Sequence, residues 1–196
     1  MARTQAADYD EKRETITREA AKLFAKKGFA GASISELAEK CNVSKSLIYH
    51  YYDSKEAILY DVMSSHIDEL LDVVEESSAL KSDCLEKLRL LTKELLRKYV
   101  GAVSHHKVLL YELGSLPNNL RTEIVDKQRV IISYVEELVK ESIQIPKAEQ
   151  KRLKAKVMLY FGMLNWTHTW YKPSGPINRE ELADIACNML IDSFKN

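Results

Sequence analysis

The apolar residues of this chain recur at spacings of three and four along almost its whole length, and no segment alternates strictly between apolar and polar positions. Spacings of three and four place side chains on one face of an α-helix, whereas strict alternation is typical of a β-strand. Only six glycines and four prolines interrupt the pattern. The chain is therefore predicted to be all-α.

Serine caps and one glycine mark where the first helices begin and end. Gly28 is a stop signal after the first helix, and Ser33, Ser44 and Ser54 each precede a new apolar pattern as N-caps. Ser33 also forms a capping-box pattern with Glu36, three residues later. The predicted helices cover residues 8–27, 34–41 and 45–52, and a long fourth helix follows Ser54.

The second and third predicted helices are joined by the short turn 41–44, as in a helix-turn-helix. In the third helix, Ile48 and Tyr52 lie four residues apart and are expected to pack inward. The opposite face then carries Ser46, Leu47 and His50. Serine, leucine and histidine are unusual on a merely solvated helix, and they suit a helix that lies in the major groove of DNA.

The segment Phe24–Leu59, FAKKGFAGASISELAEKCNVSKSLIYHYYDSKEAIL, resembles the DNA-binding region of TetR-family transcriptional regulators nearly end to end. This resemblance implies a homodimer that binds double-stranded operator DNA. Leu47 departs from the family pattern, which often has threonine or another small residue there, and a thymine methyl group is the natural partner for leucine. The residues expected to contact DNA are Ser33, Lys45, Ser46, Leu47, Tyr49, His50, Tyr51 and Lys55.

The remaining pattern predicts a larger C-terminal helical domain for ligand binding and dimerisation. We place the domain boundary after Lys55, with a helix-turn-helix domain in residues 1–55 and the second domain in residues 56–196. The predicted helices of this second domain cover residues 82–103, 105–112, 118–143 and 146–171, and a last helix is capped by Asn178 with Glu181.

The segment YFGMLNWTHTWYKPSGPINREELADIA places both tryptophans of the chain in one helical stretch. The more common explanation of two aromatic residues at helical spacing is core packing. The segment also resembles the C-terminal helix pair of TetR-type regulators that respond to acyl-CoA thioesters. That resemblance implies a small-molecule effector, with an acyl-CoA as a candidate, and the proposed ligand-binding residues are Tyr111, Tyr134, Asn165, Trp166 and Trp170.

Composition and charge agree with an untargeted cytoplasmic protein. The formal net charge is zero, so a DNA-binding surface has to be local, and residues 1–55 carry ten Lys or Arg against eight Asp or Glu. The three cysteines are widely spaced, which indicates neither a disulfide framework nor a zinc site. No apolar run approaches the length of a membrane-spanning helix, so we expect no membrane association.

An enzyme is the competing class, and the sequence offers little for it. We find no phosphate-binding loop, no dinucleotide fingerprint and no nucleophile elbow, and we expect neither a cofactor nor a metal. The predicted function is a ligand-responsive repressor that a small molecule releases from its operator. Two alternatives remain open: a regulator of a different apolar ligand, and a helical adaptor without DNA binding.

Overall fold

The computed structural model describes residues 2–195, with side chains from Tyr9 onward, and every regular element in this part of the chain is helical, which confirms the all-α prediction. A short 3-10 turn, Leu113–Ser115, precedes the seventh helix. In the described residues, no helix is both long and apolar enough to cross a membrane. The helices are α1 Ala2–Gly31, α2 Ile34–Lys40, α3 Lys45–Tyr51, α4 Lys55–Ala79, α5 Cys84–Gly101, α6 Val103–Tyr111, α7 Asn118–Ser142, α8 Lys147–Gln150, α9 Leu153–Trp170 and α10 Arg179–Asp192.

The chain forms two compact units. The first unit contains the chain up to Ile67 together with Ala102–Val125, and the second contains Asp68–Gly101 together with the chain from Asp126 onward. Within the first unit, α6 packs against α1, and α2 packs against both α1 and α3. The first unit therefore combines the predicted helix-turn-helix segment with α6, which is distant in sequence.

The core of the first unit consists of the apolar faces that the sequence pattern predicts. Ile48 and Tyr52 are buried, as are Leu37 and Ala38 on α2. One face of α4 is also buried, in agreement with its periodicity. Its predicted members are Ile58, Val62 and His66 in this unit and Leu70 in the second unit.

The four predicted N-caps are confirmed by hydrogen bonds. The side-chain oxygens of Ser33, Ser44 and Ser54 accept from the backbone N–H groups three residues later at 3.1, 3.1 and 3.0 Å. Asn178 does the same for α10 at 2.9 Å. Each cap satisfies an N–H group that has no partner inside its own helix.

Gly28 interrupts α1 as predicted, although the helix continues beyond it. Gly28 has φ 74° and ψ 160°, a backbone conformation that a residue with a Cβ adopts only with strain. One further helical turn then ends at Gly31. The helix also begins at Ala2, before the predicted start near residue 8.

The second unit packs α10 against α5 and α9 around an apolar core that contains one polar cluster. The Thr92 hydroxyl shares hydrogen bonds with the Tyr160 hydroxyl at 2.5 Å and with the Cys187 thiol at 3.0 Å. Burial raises the pKa of the Cys187 thiol to about 11, so the thiol stays protonated at neutral pH.

Two predicted helices of the second unit differ in their bounds. Asp83, rather than Ser82, caps α5, because its carboxylate accepts from the Glu86 N–H at 2.8 Å. The helix predicted over residues 146–171 is divided into α8 and α9. At the break, Arg152 donates to the backbone carbonyl of Glu149 at 2.8 Å through its N–H, and to the Glu149 carboxylate at 2.6 Å through its guanidinium, which together hold a tight turn.

Candidate nucleic-acid interface

The turn between α2 and α3 is short and hydrogen-bonded. Asn42 has φ 56°, in the left-handed region that asparagine tolerates better than most residues. The N–H groups of Asn42 and Val43 donate to carbonyls of α2 at 3.0 Å each. The turn therefore holds α3 at a defined angle to α2, the arrangement of a helix-turn-helix.

One face of α3 is open to solvent and carries four of the predicted DNA-contacting residues. Ile48 on the opposite face is fully buried, which confirms the predicted orientation of the helix. The Lys45 ammonium lies 5.9 Å from the centre of the Tyr49 ring, and the hydroxyls of Ser46 and Ser44 share a hydrogen bond of 2.9 Å. The exposed residues are Lys45, Ser46, Tyr49 and His50.

Leu47 and Tyr51 are half-buried at the edges of this face. The Tyr51 ring packs on the Tyr9 ring of α1, with centroids 4.6 Å apart, and on the His50 ring at 5.5 Å. The Tyr51 ring is thus held in place by two neighbouring rings. The Leu47 side chain is partly accessible to solvent.

Ser33 and Lys55 already have partners within the protein. Ser33 caps α2, and the Lys55 ammonium donates to the carbonyls of Phe29 and Ala32 at 2.6 and 2.7 Å. The same ammonium lies 4.2 Å from the centre of the Phe29 ring. Lys55 therefore joins the start of α4 to the end of α1, a contact that the sequence did not reveal.

A polar cluster centred on Asp61 was also not predicted from the sequence. Asp61 on α4 accepts hydrogen bonds from Arg13 and Thr17 of α1 and from Tyr52 at the end of α3. Arg13 and Thr17 lie one helical turn apart, but Asp61 is 44 or more residues away, so no local pattern connects them. We call these four residues the Asp61 cluster.

The residues proposed for ligand binding lie in different surroundings. Tyr111 belongs to the first unit and is 61% exposed. In the second unit, Tyr134 is half-buried and shares a hydrogen bond of 3.2 Å with Ser77, and Asn165 is half-buried. Trp166 and Trp170 are 60% and 51% exposed on α9, so both rings face solvent in the single chain.

The two tryptophans belong to an apolar stripe on the exposed faces of α9 and α10, which we call the α9/α10 face. An open groove of about 310 Å³ lies within it, between Leu159 and Met163 on α9 and Met189 on α10. Leu159 is 70% exposed, an extent unusual for leucine in a monomer. The large exposed members are Met158, Leu159, Met163, Trp166, Trp170, Ile185 and Met189.

Two histidines of the first unit lie side by side. His66 and His106 are buried, with His66 Nε2 and His106 Nδ1 3.2 Å apart. Among the described residues, no group of three or more His, Cys, Asp or Glu is arranged to hold a metal ion.

Comparison with known proteins agrees with this architecture. Residues 16–62 match the model of the bacterial regulatory proteins of the tetR family, and residues 81–194 match that of the tetracyclin repressor-like C-terminal domain. The chain is 31% identical over 148 residues to the uncharacterized HTH-type transcriptional regulator YerO of Bacillus subtilis. That match covers 65% of this chain and 48% of YerO, so it spans about half of that relative.

Two solved structures show the same fold. A TetR-family transcriptional regulator from Bordetella parapertussis is 34% identical, with a TM-score of 0.86 over 92% of this chain and 94% of that one. AibR, solved in complex with isovaleryl coenzyme A and operator DNA, is 22% identical, with a TM-score of 0.76 over 92% of this chain and 98% of AibR. At that identity the second likeness concerns the fold alone. With its N-terminal region and most of its C-terminal region matched by family models, the chain belongs to the TetR family of bacterial regulatory proteins.

Proposed function

We propose that this protein is a DNA-binding transcriptional repressor that a small-molecule effector releases from its operator. The observation that carries the proposal is α3, a short capped helix behind a tight turn that exposes Lys45, Tyr49 and His50 while Ile48 anchors it. Such a helix fits the width of the major groove.

In this proposal the exposed residues of α3 divide into two roles. Lys45 and the hydroxyls of Tyr49 and Tyr51 contact phosphates, which position the protein without reading sequence. Ser46, Leu47 and His50 face the base edges, where Leu47 meets a thymine methyl group. Ser33 and Lys55 contact the flanking phosphates with the donors that their internal hydrogen bonds leave available.

The α9/α10 face is the proposed dimer interface. An exposed stripe of methionine, leucine and tryptophan is costly in water, and burial of apolar area stabilises association by about 25 cal/mol per Å². Gly162, next to Leu159 and Met163, has nothing within 4 Å of a Cβ built on it, so a partner helix could approach closely there. Two copies related by a twofold axis would present two α3 helices to a near-palindromic operator.

An acyl-CoA thioester is the proposed effector. The support is the resemblance of the C-terminal segment to acyl-CoA-responsive regulators, together with the shared fold of AibR, which was solved in complex with isovaleryl coenzyme A. In this mechanism the effector displaces α4 and thereby changes the spacing of the two α3 helices in the dimer. Repression ends because the two helices no longer fit successive major grooves.

The test is selection of binding sites from a pool of random DNA duplexes. We expect enrichment of a near-palindrome whose half-sites lie about one helical turn apart, roughly 34 to 36 Å between centres. Lys45→Glu, at an exposed position, is the matched control and should abolish enrichment while the protein remains folded. If the wild-type protein enriches no sequence, the adaptor alternative replaces the repressor.

A further inference from the structure

The Asp61 cluster joins three helices of the first unit through one carboxylate. Arg13 donates from Nη2 to Asp61 Oδ1 at 2.9 Å and from Nε to Oδ2 at 3.1 Å. Thr17 donates from its hydroxyl to Oδ2 at 3.1 Å, and the Tyr52 hydroxyl makes a short hydrogen bond to the same oxygen. Three of these four hydrogen bonds converge on Oδ2, and the fourth reaches Oδ1.

Tyr52 is where this cluster reaches α3. Tyr52 is the C-cap of α3, its ring is buried, and its hydroxyl lies 2.9 Å from the Thr17 hydroxyl as well. Burial, followed by the hydrogen bond to Asp61, raises the pKa of Tyr52 to about 12. The hydroxyl therefore stays protonated and keeps donating at neutral pH.

The other attachments of the recognition helix α3 are the hydrogen-bonded turn from α2, the packing of Tyr51 on Tyr9 and the buried Ile48 side chain. The helix is seven residues long, and Ile48 is its buried side chain. Apolar packing of one side chain is non-directional, so Ile48 holds α3 in place without setting its rotation. Hydrogen bonds have strict angular preferences, so Tyr52 at the end of the helix restricts that rotation.

We propose that Asp61, supported by Arg13 and Thr17, is a positioning residue that sets the orientation of α3 through Tyr52. The proposal rests on the proposed function, because it assumes that α3 reads DNA. Operator selectivity then depends on the Asp61 cluster, although its members act through Tyr52 rather than by reading bases. A misoriented α3 keeps its phosphate-binding groups near DNA but loses the alignment that base contacts require.

The test compares affinity for the selected operator with affinity for an unrelated duplex of equal length. Asp61→Asn and Tyr52→Phe should each reduce the ratio of the two affinities by about tenfold, within the range of couplings carried by packed networks. Thr17→Val removes the hydroxyl at nearly constant volume and should reduce the ratio by a smaller factor. Thr17→Ser retains the hydroxyl and should preserve the wild-type ratio.

Two controls separate positioning from stability and from charge. Affinities are measured at a temperature at which thermal melting shows each variant to be fully folded, because mere destabilisation does not change the affinity of folded molecules. Asp53→Asn removes the same charge at the exposed residue next to Tyr52 and should leave the ratio unchanged. The slope of log affinity against log salt should stay at its wild-type value in the cluster variants.

Each outcome bears on the proposal. A wild-type ratio in folded Asp61→Asn and Tyr52→Phe would overturn the positioning role and leave the proposed function intact. An equal loss of both affinities with a shallower salt slope would also overturn it, because the cluster would then act through phosphate binding. A wild-type protein that prefers no duplex would overturn the proposed function and this proposal together. If Asp61→Asn does not fold, the Thr17 pair and Tyr52→Phe still decide the question.

Discussion

At the scale of single residues, Lys55 shows how a lysine can be accommodated at the first residue of a helix. A cation at the first residue of a helix faces the positive end of the helix dipole, at a cost of up to about 1 kcal/mol. Lys55 instead directs its ammonium to the carbonyls of Phe29 and Ala32, at the negative end of α1. Two hydrogen bonds and the Phe29 ring thus offset the cost, and a phosphate is no longer needed to explain the lysine.

We expect Lys55→Ala to lower both stability and DNA affinity. Loss of two charged hydrogen bonds in a half-buried setting should lower the free energy of unfolding by about 1 to 2 kcal/mol, measured by urea denaturation. Because Lys55 is proposed to bind a phosphate as well, the salt slope of DNA binding should become shallower by about one unit. Exposed Lys45 is the matched control, because Lys45→Ala should change the slope and spare the stability. An unchanged slope for Lys55→Ala would remove Lys55 from the phosphate contacts.

Leu47 is the candidate for an apolar base contact. Leu47→Ala should cost about 1 to 3 kcal/mol of binding at one operator position while unrelated DNA binds as before, because a methyl contact reads sequence. The measurement is a panel of operators, each with one base pair changed. Since Leu47 is half-buried, an equal loss for all sequences would instead make it a packing residue of α3.

At the scale of elements, the break in α1 depends on a single glycine beneath α6. A Cβ at Gly28 would lie 3.3 Å from the Glu112 carboxylate, just after α6, and the φ of 74° strains any residue with a side chain. Gly28 thus lies close to the end of α6, although α1 and α6 are about 80 residues apart in sequence. Glycine therefore permits both the kink and the close approach.

Gly28→Ala should lower the free energy of unfolding by about 1 to 3 kcal/mol, because the backbone strain adds to the crowding of Glu112. Chemical denaturation measures the effect. Gly31→Ala is the matched control: a Cβ there meets Lys27 Cβ at an ordinary 3.7 Å, so the variant should be as stable as wild type or more so. Equal stability of the two variants would contradict the strain at Gly28.

At the scale of the whole molecule, the α9/α10 face is an apolar surface that the single chain leaves exposed to solvent. Leu159→Lys should convert a dimer to a monomer in light scattering, because burying an unpaired charge in an apolar interface is strongly unfavourable. Operator affinity should fall with it, since two linked α3 helices bind far better than one. Lys154→Glu, at another exposed position of α9, should leave the dimer intact. A monomeric wild-type protein would contradict the assigned interface.

Effector binding can be followed with the native tryptophans, because Trp166 and Trp170 are the two tryptophans of the chain and both lie on α9. Acyl-CoA thioesters should change their emission saturably, and free CoA much less, because the acyl group supplies most of the apolar burial. By linkage, a thioester that prefers the DNA-free protein must weaken operator binding by the same factor. A broad thioester panel without effect on emission or operator affinity would reject this effector class.

Sequence patterns alone were enough to predict the helical class, the helix-turn-helix, the inward side of α3 and the N-caps at Ser33, Ser44, Ser54 and Asn178. The helix-turn-helix was predicted from the longer resemblance of the segment Phe24–Leu59, whereas the other features depend on residues at most four apart, where helical periodicity and cap chemistry act locally. The residues that interact in such a cap or on such a face are close neighbours in the sequence. For the same reason Ser46 and His50 were correctly predicted to be exposed on α3, whereas Leu47, predicted on the same face, is half-buried.

Contacts between side chains that are distant in sequence became apparent only from the fold. Lys55 lies 26 residues from Phe29, and Asp61 lies 48 residues from Arg13, so both contacts depend on how the helices pack. The break between α8 and α9 was likewise missed, because Glu149 and Arg152 are as compatible with a continuous helix as with a turn. Packing also left Trp166 and Trp170 on an exposed face of α9. Helical spacing alone cannot predict this, because the spacing defines which residues share a face but not what covers that face.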